Sequence, residues 1–319
     1  MKDLTLPAVA APMFLISSPK LVIETCKTGI VGTLPALNNR TTAGFDQWLT
    51  EIETALEGYT QTNGQPAAPY GVNLTVHHTN PRLKADLDIC VKHKVPIVIT
   101  SLGAANEVVD AIHSYGGLVF HDVINIRHAY KAANAGVDGL ICVTAGAGGH
   151  AGTLHPMPFI QEVRNIFDGT ILLSGCMSTG GDIASAMQMG ADLAYMGTRF
   201  INVDESAANE EYRNMIIESG TKDIVYTAAI SGVNGNFLRS SLEAMGITKE
   251  MWSMKAKVNF KKELDADKAE TKAWKTVWSA GQGVATITDS LPVVDLVKRL
   301  KKEFIAAIKQ QQQLLETYE

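Results

Sequence analysis

The residues from Leu140 to Gly152 combine an apolar run with a loop of mainly glycine and alanine, in which His150 is the one histidine. Glycine permits positive backbone φ angles and lets peptide N–H groups approach a bound ring or phosphate, because no Cβ intervenes. Histidine is the side chain whose ordinary pKa lies near neutral pH. The pattern predicts a proton-transferring residue beside a ligand-binding loop. The competing interpretation is a tight turn that carries a surface histidine.

Two later segments have the composition of a phosphate-binding site. Ser174, Gly175 and Cys176 open a glycine-rich segment that reaches Asp182 and precedes a predicted helix, and Met196-Gly197-Thr198 ends the next strand. In barrels of alternating strands and helices, the last two strands are often followed by loops that bind phosphate through N–H groups and a helix N-terminus. We predict that both segments hold a phosphate-bearing ligand and that Asp182 is the N-cap of the helix.

Other motifs are less informative about chemistry. Gly146–Ala151 matches the G-x-G-x-x-[GA] pattern of dinucleotide-binding proteins, but Pro156 and Pro158 stand where the helix of that motif has to continue. We therefore reject a dinucleotide site there. His121 ends another predicted strand, where a structural, a hydrogen-bonding and a pocket-lining role are all open. Histidines, cysteines and carboxylates show no metal-ligand spacing, so no metal is predicted.

The elements that must position these loops alternate regularly as far as Met196. Short apolar runs are separated by amphipathic segments, and their continuous hydrophobicity is typical of parallel strands covered on both faces. The predicted strands are Ala8–Ala11, Ile30–Thr33, Gly71–Leu74, Ile97–Thr100, Leu118–Phe120, Gly139–Val143, Ile171–Ser174 and Leu193–Met196. The predicted helices include Asp86–Lys94, Asn106–Tyr115, Ile126–Ala135 and Asp182–Met189. Eight strand–helix units predict an α/β fold with a (β/α)8 TIM barrel, whose active site lies at the carboxyl ends of the strands. A doubly wound open sheet is the alternative.

The alternation of predicted strands and helices ends after Asn202, and the chain becomes more charged. We predict a barrel formed by residues 1–203 and 278–319, and a smaller, mostly helical inserted domain at residues 204–277 that covers the barrel mouth as a substrate or lid domain. Ser231–Asn236 is predicted as a loop within that domain. The segment 292–319 is predicted as one amphipathic helix. Its apolar stripe consists of Val293, Leu296, Val297, Leu300, Phe304 and Ile308.

Composition limits the class of protein. The chain is 46% hydrophobic and 19% charged, as is usual for a globular enzyme, and its net charge of −5 disfavours nucleic acid, which requires a concentrated basic face. Cys26, Cys90, Cys142 and Cys176 form no C-x-x-C pair, and neither a signal peptide nor an apolar run of membrane-spanning length is present. We predict a cytoplasmic protein with reduced thiols that binds neither nucleic acid nor a membrane.

Taken together, the loops resemble those of the nitronate monooxygenases, FMN-dependent barrel enzymes formerly called 2-nitropropane dioxygenases. The resemblance extends from about residue 9 to residue 200, returns at Trp278–Gly283 and is weak between them. Its most specific parts are Ala145–Gly152, which contains Gly-Gly-His-Ala-Gly, and Met189–Phe200, and Tyr70–Leu74 is a third marker.

The resemblance implies FMN as the cofactor and His150 as the catalytic base. The residues that it places against FMN are Ala11, Pro12, Met13, Asn73, Asp122, Gly148, Gly149, Ser174, Gly175, Cys176, Met196, Gly197, Thr198, Gly281 and Gln282, with the phosphate held by the loops at 174–176 and 197–198. The implied reaction oxidises alkyl nitronates, or nitroalkanes after loss of their α-proton, with O2 to carbonyl compounds and nitrite. Asp122 stands where some members have lysine, and it suits a ribityl hydroxyl better than negative charge on the reduced flavin. Cys176 stands where glycine is common, and we interpret it as a small pocket residue.

Three alternatives stay open. The first is an FMN-dependent NAD(P)H:quinone or enoyl-thioester reductase on the same scaffold. The second is a flavin-free nucleotide dehydrogenase of the inosine-monophosphate type, which needs a cysteine nucleophile where this chain has His150. The third is a non-catalytic flavin-binding module. The expected partners are a small-molecule nitronate or nitroalkane, O2 and a second copy of the chain in a homodimer.

Overall fold

A computed structural model describes residues 4–103, 106–253 and 277–319. Its strands are β1 (Ala8–Ala10), β2 (Val31–Pro35), β3 (Tyr70–Thr75), β4 (Ile97–Ser101), β5 (Leu118–Val123), β6 (Gly139–Val143), β7 (Gly149–His150), β8 (Thr170–Ser174), β9 (Leu193–Met196), β10 (Ile224–Thr227) and β11 (Gly235–Leu238). In this part of the chain, eight of them close into a parallel barrel in the order β1-β2-β3-β4-β5-β6-β8-β9, with β9 paired to β1. Each strand predicted from an apolar run is present. Closure of the sheet confirms the TIM barrel and excludes the open sheet.

Two apolar layers explain why the strand sequences are continuously hydrophobic. In β4, Ile97 and Ile99 point into the barrel, where they pack with Val9, Ile141 and similar residues. Val98, between them in sequence, belongs to the layer between the strands and the surrounding helices. Because successive side chains of a strand point to opposite faces, both faces of this sheet must be apolar.

The helices surround the barrel. They are α1 (Pro19–Lys27), α2 (Thr42–Asn63), α3 (Leu83–Lys92), α4 (Asn106–His113), α5 (Ile126–Asn134), α6 (Pro156–Arg164), α7 (Gly180–Gln188), α8 (Thr198–Ile201), α9 (Glu210–Glu218), α10 (Arg239–Ala244) and α11 (Val293–Tyr318). After α4 and α5, the chain turns through Gly116 and Gly136 with φ of +84° and +81°, which a residue with a Cβ adopts at a cost. Both glycines directly follow the predicted ends of these helices, at Tyr115 and Ala135.

The beginning of α7 differs from the prediction. Its N-cap is Thr179, whose hydroxyl accepts a hydrogen bond from the peptide N–H of Asp182. Asp182 is the third helical residue, and its carboxylate completes a capping box by accepting from the Thr179 N–H at 2.8 Å. The assignment of Asp182 as the N-cap was therefore wrong by three positions.

The segment after the barrel mixes helix and sheet. Between α9 and α10, strands β10 and β11 form an antiparallel hairpin, and β11 also pairs with β7 next to the barrel mouth. This hairpin departs from the mostly helical segment that was predicted, and Gly235 and Asn236 belong to β11 rather than to a loop. The pairing with β7 is a long-range contact that local sequence does not specify. Residues 254–276 of the predicted insertion lie outside the described residues, and the division at 203 and 278 stays a prediction.

The C-terminal helix α11 covers the outside of the barrel. Val293, Leu296, Val297 and Leu300 are buried along its inner face, and Phe304 packs against the same core. These are five of the six residues of the predicted apolar stripe, the sixth being the half-buried Ile308, so the amphipathic helix is confirmed. Among the helices that the structure describes, none combines the length and hydrophobicity required to cross a bilayer.

Candidate active site

A cavity of about 1040 Å³ opens at the carboxyl ends of the barrel strands. The residues predicted from sequence that line it are Ala11, Pro12, Met13, Asn73, Asp122, Gly148, Gly149, His150, Ser174, Gly175, Cys176, Gly197, Thr198 and Gly281. They come from loops far apart in the sequence and meet because parallel strands in a closed barrel all end on the same face.

Two predicted residues lie just outside this lining. Met196 is buried in the barrel wall, where its carbonyl oxygen accepts a hydrogen bond from the Ala11 N–H at 2.9 Å. Gln282 donates its peptide N–H to the Gly146 carbonyl at 2.8 Å, and its side-chain oxygen lies 3.9 Å from the Cys176 sulfur. Both residues therefore shape the loops around the cavity rather than its surface.

His150 is held in a short strand and not in a free loop. Its strand β7 pairs with β11, so that His150 is opposite Gly235. Asn236 fixes the same segment from the side, because its buried amide donates to the Ala147 carbonyl at 2.7 Å. The segment that follows the barrel thus positions the histidine that the barrel loop carries.

Burial determines the protonation of His150. Desolvation lowers the pKa of its imidazole to about 4, because the cationic form loses its hydration. At neutral pH the ring is uncharged and has one nitrogen with a lone pair, as a proton acceptor requires. Its Nε2 lies 3.4 Å from the hydroxyl oxygen of Ser231. The uncharged ring offers an anion no positive charge at neutral pH, so an anionic substrate would depend on N–H donors there.

A chain of hydrogen bonds crosses the ends of β3, β4 and β5. The Asn73 amide donates to the Ser101 hydroxyl at 2.8 Å, and that hydroxyl donates to Oδ2 of Asp122 at 2.5 Å. The other oxygen, Oδ1, is buried and has no hydrogen-bond partner in the described residues. Desolvation raises the pKa of Asp122 to about 6, although the bond from Ser101 opposes the shift. This oxygen is ready for a donor from a ligand in the cavity.

His121 also faces the cavity. Its Nδ1 lies 2.6 Å from the Thr100 hydroxyl, and the side chain is buried at the end of β5. Burial lowers the pKa of His121 to about 4, so this ring is neutral at pH 7. Of the roles left open by the sequence, the structure supports a hydrogen-bonded residue in the cavity wall.

The loop after β8 lines the cavity with Gly175, Cys176 and Met177. Gly175 and Cys176 have φ of +130° and +60°, and a Cβ on Gly175 would lie 2.5 Å from the Thr144 hydroxyl oxygen. The N–H groups of Gly175, Cys176 and Met177 donate to no other described residue. Successive N–H groups in such turns form concave anion-binding sites. The loop therefore suits a phosphate group.

The N-terminus of α7 is unsuited to that task, contrary to the prediction. The Asp182 carboxylate accepts from the N–H groups of Ser178 and Thr179, each at 2.8 Å. Glu303 of α11 accepts from the Gly180 N–H at 2.7 Å. Because carboxylates of the chain already accept from these three N–H groups, the groups are not available to a phosphate.

Several cavity residues were not predicted from sequence. Tyr212 stacks on Trp278 with ring centroids 5.0 Å apart and donates its hydroxyl to the Ser279 carbonyl. Tyr226 donates to the Ala151 carbonyl at 3.1 Å. Both tyrosines come from the segment without a strand–helix rhythm, and no local motif distinguishes them from core aromatics. In the described ranges, no group of three histidines, cysteines or carboxylates is arranged to bind a metal.

The fold and the site together define a TIM-barrel enzyme that acts on a small molecule. The sequence profile described as "Nitronate monooxygenase" matches residues 36–303, and the chain therefore belongs to the nitronate monooxygenase family and is an oxidoreductase. This family is in general flavin-dependent.

Individual proteins agree with this placement. A nitronate monooxygenase of Paraburkholderia phytofirmans is 25% identical, in a match that covers 96% of this chain and 94% of that protein. The nitroalkane oxidase of Streptomyces ansochromogenes has a similar structure, with a TM-score of 0.77, 23% identity and coverage of 97% of this chain and 99% of that one. FabK from Thermotoga maritima gives a TM-score of 0.79 at 20% identity, over 98% of this chain and 96% of that chain. At such identities the two structures demonstrate the shared fold alone.

Proposed function

We propose that the protein is an FMN-dependent nitronate monooxygenase, which oxidises alkyl nitronates with O2 to carbonyl compounds and nitrite. The observation that carries the proposal is a half-buried, uncharged His150 at the mouth of a barrel of this family, beside a loop whose N–H groups donate to no other described residue. A base of this kind removes the α-proton of a neutral nitroalkane, and an already ionised nitronate does not need it.

Several features of the cavity support FMN as the cofactor. The N–H groups of Gly175, Cys176 and Met177 donate to no other residue in the described ranges and would hold the phosphate, together with Gly197 and Thr198. Oδ1 of Asp122, which has no partner among the described residues, would accept a hydrogen bond from a ribityl hydroxyl. The flavin ring would lie against the residues of the other strand ends, which are Ala11, Pro12, Met13, Asn73, Gly148, Gly149 and Gly281, with Met196 and Gln282 supporting the loops.

The close approach of two chain segments supports a role for residues near Gly281. A Cβ on Gly148 would lie 2.8 Å from the Gly281 nitrogen, so only glycine lets these backbones meet. The Gly281 N–H donates to the Thr198 hydroxyl at 2.9 Å. The segment around Gly281 therefore contacts both the loop that precedes His150 and the loop after β9, which contains Thr198. A ligand between these segments would contact all three.

In this mechanism the residues of the chain bind, orient and deprotonate the substrate. His150 takes the α-proton of a nitroalkane, and the anion that results raises the pKa of the imidazolium beside it. Tyr212, Tyr226 and the 231–234 loop cover the site and limit access of water. When bound, FMN would accept electrons from the nitronate and transfer them to O2.

One observation favours a second candidate, an FMN-dependent NAD(P)H:quinone or enoyl-thioester reductase. The cavity continues beyond the barrel mouth along one face of α5, where it is lined by His128, Lys131, Ala132 and Ala135. The distance along the helix axis from residue 128 to residue 135 is about 10 Å, which exceeds what a small nitronate fills. Lys131 at this position would suit the phosphate of a longer ligand.

Product analysis tests the proposal. The wild-type protein, purified with or reconstituted with FMN, is supplied with propyl-2-nitronate and O2, and acetone and nitrite are measured. We expect both products in equal amounts. A parallel reaction contains NADPH with a quinone or an enoyl thioester, and turnover only in this reaction supports the reductase instead. The Lys131→Ala variant is the matched control, because loss of the lysine side chain should weaken binding only of a ligand that extends along α5.

A further inference from the structure

The Ser231 hydroxyl lies within hydrogen-bonding distance of the Nε2 atom of His150. Its hydroxyl oxygen lies 3.4 Å from Nε2 and 3.1 Å from the carbonyl oxygen of Val233. Ser231 is buried, with 6% of its surface exposed. The loop is fixed on both sides, because the Gly232 N–H donates to the Ala228 carbonyl and the Ala151 N–H donates to the Asn234 carbonyl.

The number of available protons determines which group donates in each hydrogen bond of Ser231. A serine hydroxyl has one proton and two lone pairs, and the Val233 carbonyl can only accept. When the hydroxyl donates to that carbonyl, it presents a lone pair to Nε2 of His150. The neutral imidazole then carries its proton on Nε2, and the lone pair that can take a substrate proton is on Nδ1.

We propose that Ser231 is a positioning residue, which accepts a hydrogen bond from Nε2–H of His150 and thereby fixes the tautomer and the orientation of the catalytic base. Ser231 is not among the site residues predicted from sequence. It lies near His150 because β11 pairs with β7. The catalytic consequence rests on the proposed function, whereas the tautomer assignment does not.

Nitrogen NMR of the protein labelled with ¹⁵N-histidine tests the assignment without any turnover. The protonated and the bare ring nitrogen of a neutral imidazole have well-separated resonances, and the His150→Asn variant identifies the signals of His150. At pH 7 we expect the Nε2–H form in the wild type and a mixture of tautomers in Ser231→Ala. An Nδ1–H form in the wild type, or an unchanged spectrum in Ser231→Ala, overturns the proposal.

Kinetics provide the second test. With a neutral nitroalkane, whose proton must be removed, Ser231→Ala should lower kcat/KM about tenfold, the loss expected for one neutral hydrogen bond. With the ionised nitronate the change should stay within about twofold, since no base is needed there. Ser231→Thr retains the hydroxyl and should restore activity, and Ser206→Ala removes a similarly buried hydroxyl outside the site.

Failure of the proposed function and failure of the positioning role of Ser231 give different results. A wild type that oxidises neither substrate contradicts the proposed function, and the NMR result still decides the role of Ser231. An active wild type whose Ser231→Ala variant loses activity equally on both substrates, or no more than Ser206→Ala does, contradicts the positioning role. Failure of Ser231→Thr to recover activity on the nitroalkane contradicts it as well.

Discussion

Asp122 should make the stability of the flavin-free protein fall as the pH rises. Its carboxyl group has a pKa of about 6 in the folded protein, against an ordinary value of 3.8. Between these two pH values the folded protein keeps a proton that the unfolded chain has released, so stability decreases with increasing pH. Above pH 6 the carboxyl is ionised in both states, and the penalty stays constant.

The size of the effect follows from the difference between the two pKa values. It corresponds to about 3 kcal/mol of unfolding free energy, lost between about pH 4 and pH 6. The cause is the burial of the charge with a single hydrogen bond from Ser101 while Oδ1 has no partner in the described residues. Asp122→Asn cannot titrate, and its stability relative to the wild type should therefore rise by about 3 kcal/mol from pH 4 to pH 7.

Urea-induced unfolding of both proteins at pH 4, 5, 6 and 7 measures this difference, since the titration of all other groups cancels in the comparison. The Asp88→Asn variant is the control, because it replaces an exposed carboxylate on α3 whose pairing with Lys84 contributes little. A difference between Asp122→Asn and the wild type that stays constant with pH would refute the reasoning. Addition of FMN should reduce the difference at pH 7, because Oδ1 then gains a donor.

Three further variants test other parts of the structure. His150→Asn should lower kcat/KM for a neutral nitroalkane by about 10² to 10⁴, with a much smaller loss for the nitronate, in steady-state assays; equal losses would argue against a base. Cys176→Gly should raise the unfolding free energy by about 0.5 to 1 kcal/mol, because φ is +60° there, and a destabilised variant in denaturant titrations would contradict this. Asp289→Ala should cost about 2 kcal/mol in the same titrations, since it removes the carboxylate from the buried Arg199 but leaves the Asp289 carbonyl as acceptor. An unchanged midpoint would show that this ion pair contributes nothing.

The barrel was predictable because its signals are local. The two buried faces of each parallel strand require continuous hydrophobicity, as in Ile97–Ser101, and each helix that ends at a glycine with positive φ has a visible stop. The convergence of Asn73, Asp122 and Gly175 on one cavity then follows from strand direction alone. Local pattern was sufficient for the fold class and for the position of the cavity.

The rest depends on contacts between distant residues. Gly235 and Asn236 have the composition of a turn and form a strand because β10 pairs with them on one side and β7 on the other. The N-terminus of α7 matched an anion site in sequence, but Glu303 of α11, 123 residues further along, already binds its Gly180 N–H. The pKa of His150 likewise depends on burial, which the 231–234 loop and β11 contribute. No local motif contains this information.

Anaerobic reduction of the flavin distinguishes the proposed reaction from its nearest alternative in one experiment. The visible spectrum of the FMN-loaded protein is recorded without O2, before and after addition of propyl-2-nitronate and, separately, of NADPH. A nitronate monooxygenase should lose its flavin absorption on addition of the nitronate and retain it with NADPH. Bleaching by NADPH alone would identify a reductase, and a colourless protein that cannot be reconstituted with FMN would contradict the flavin site and the residue roles derived from it.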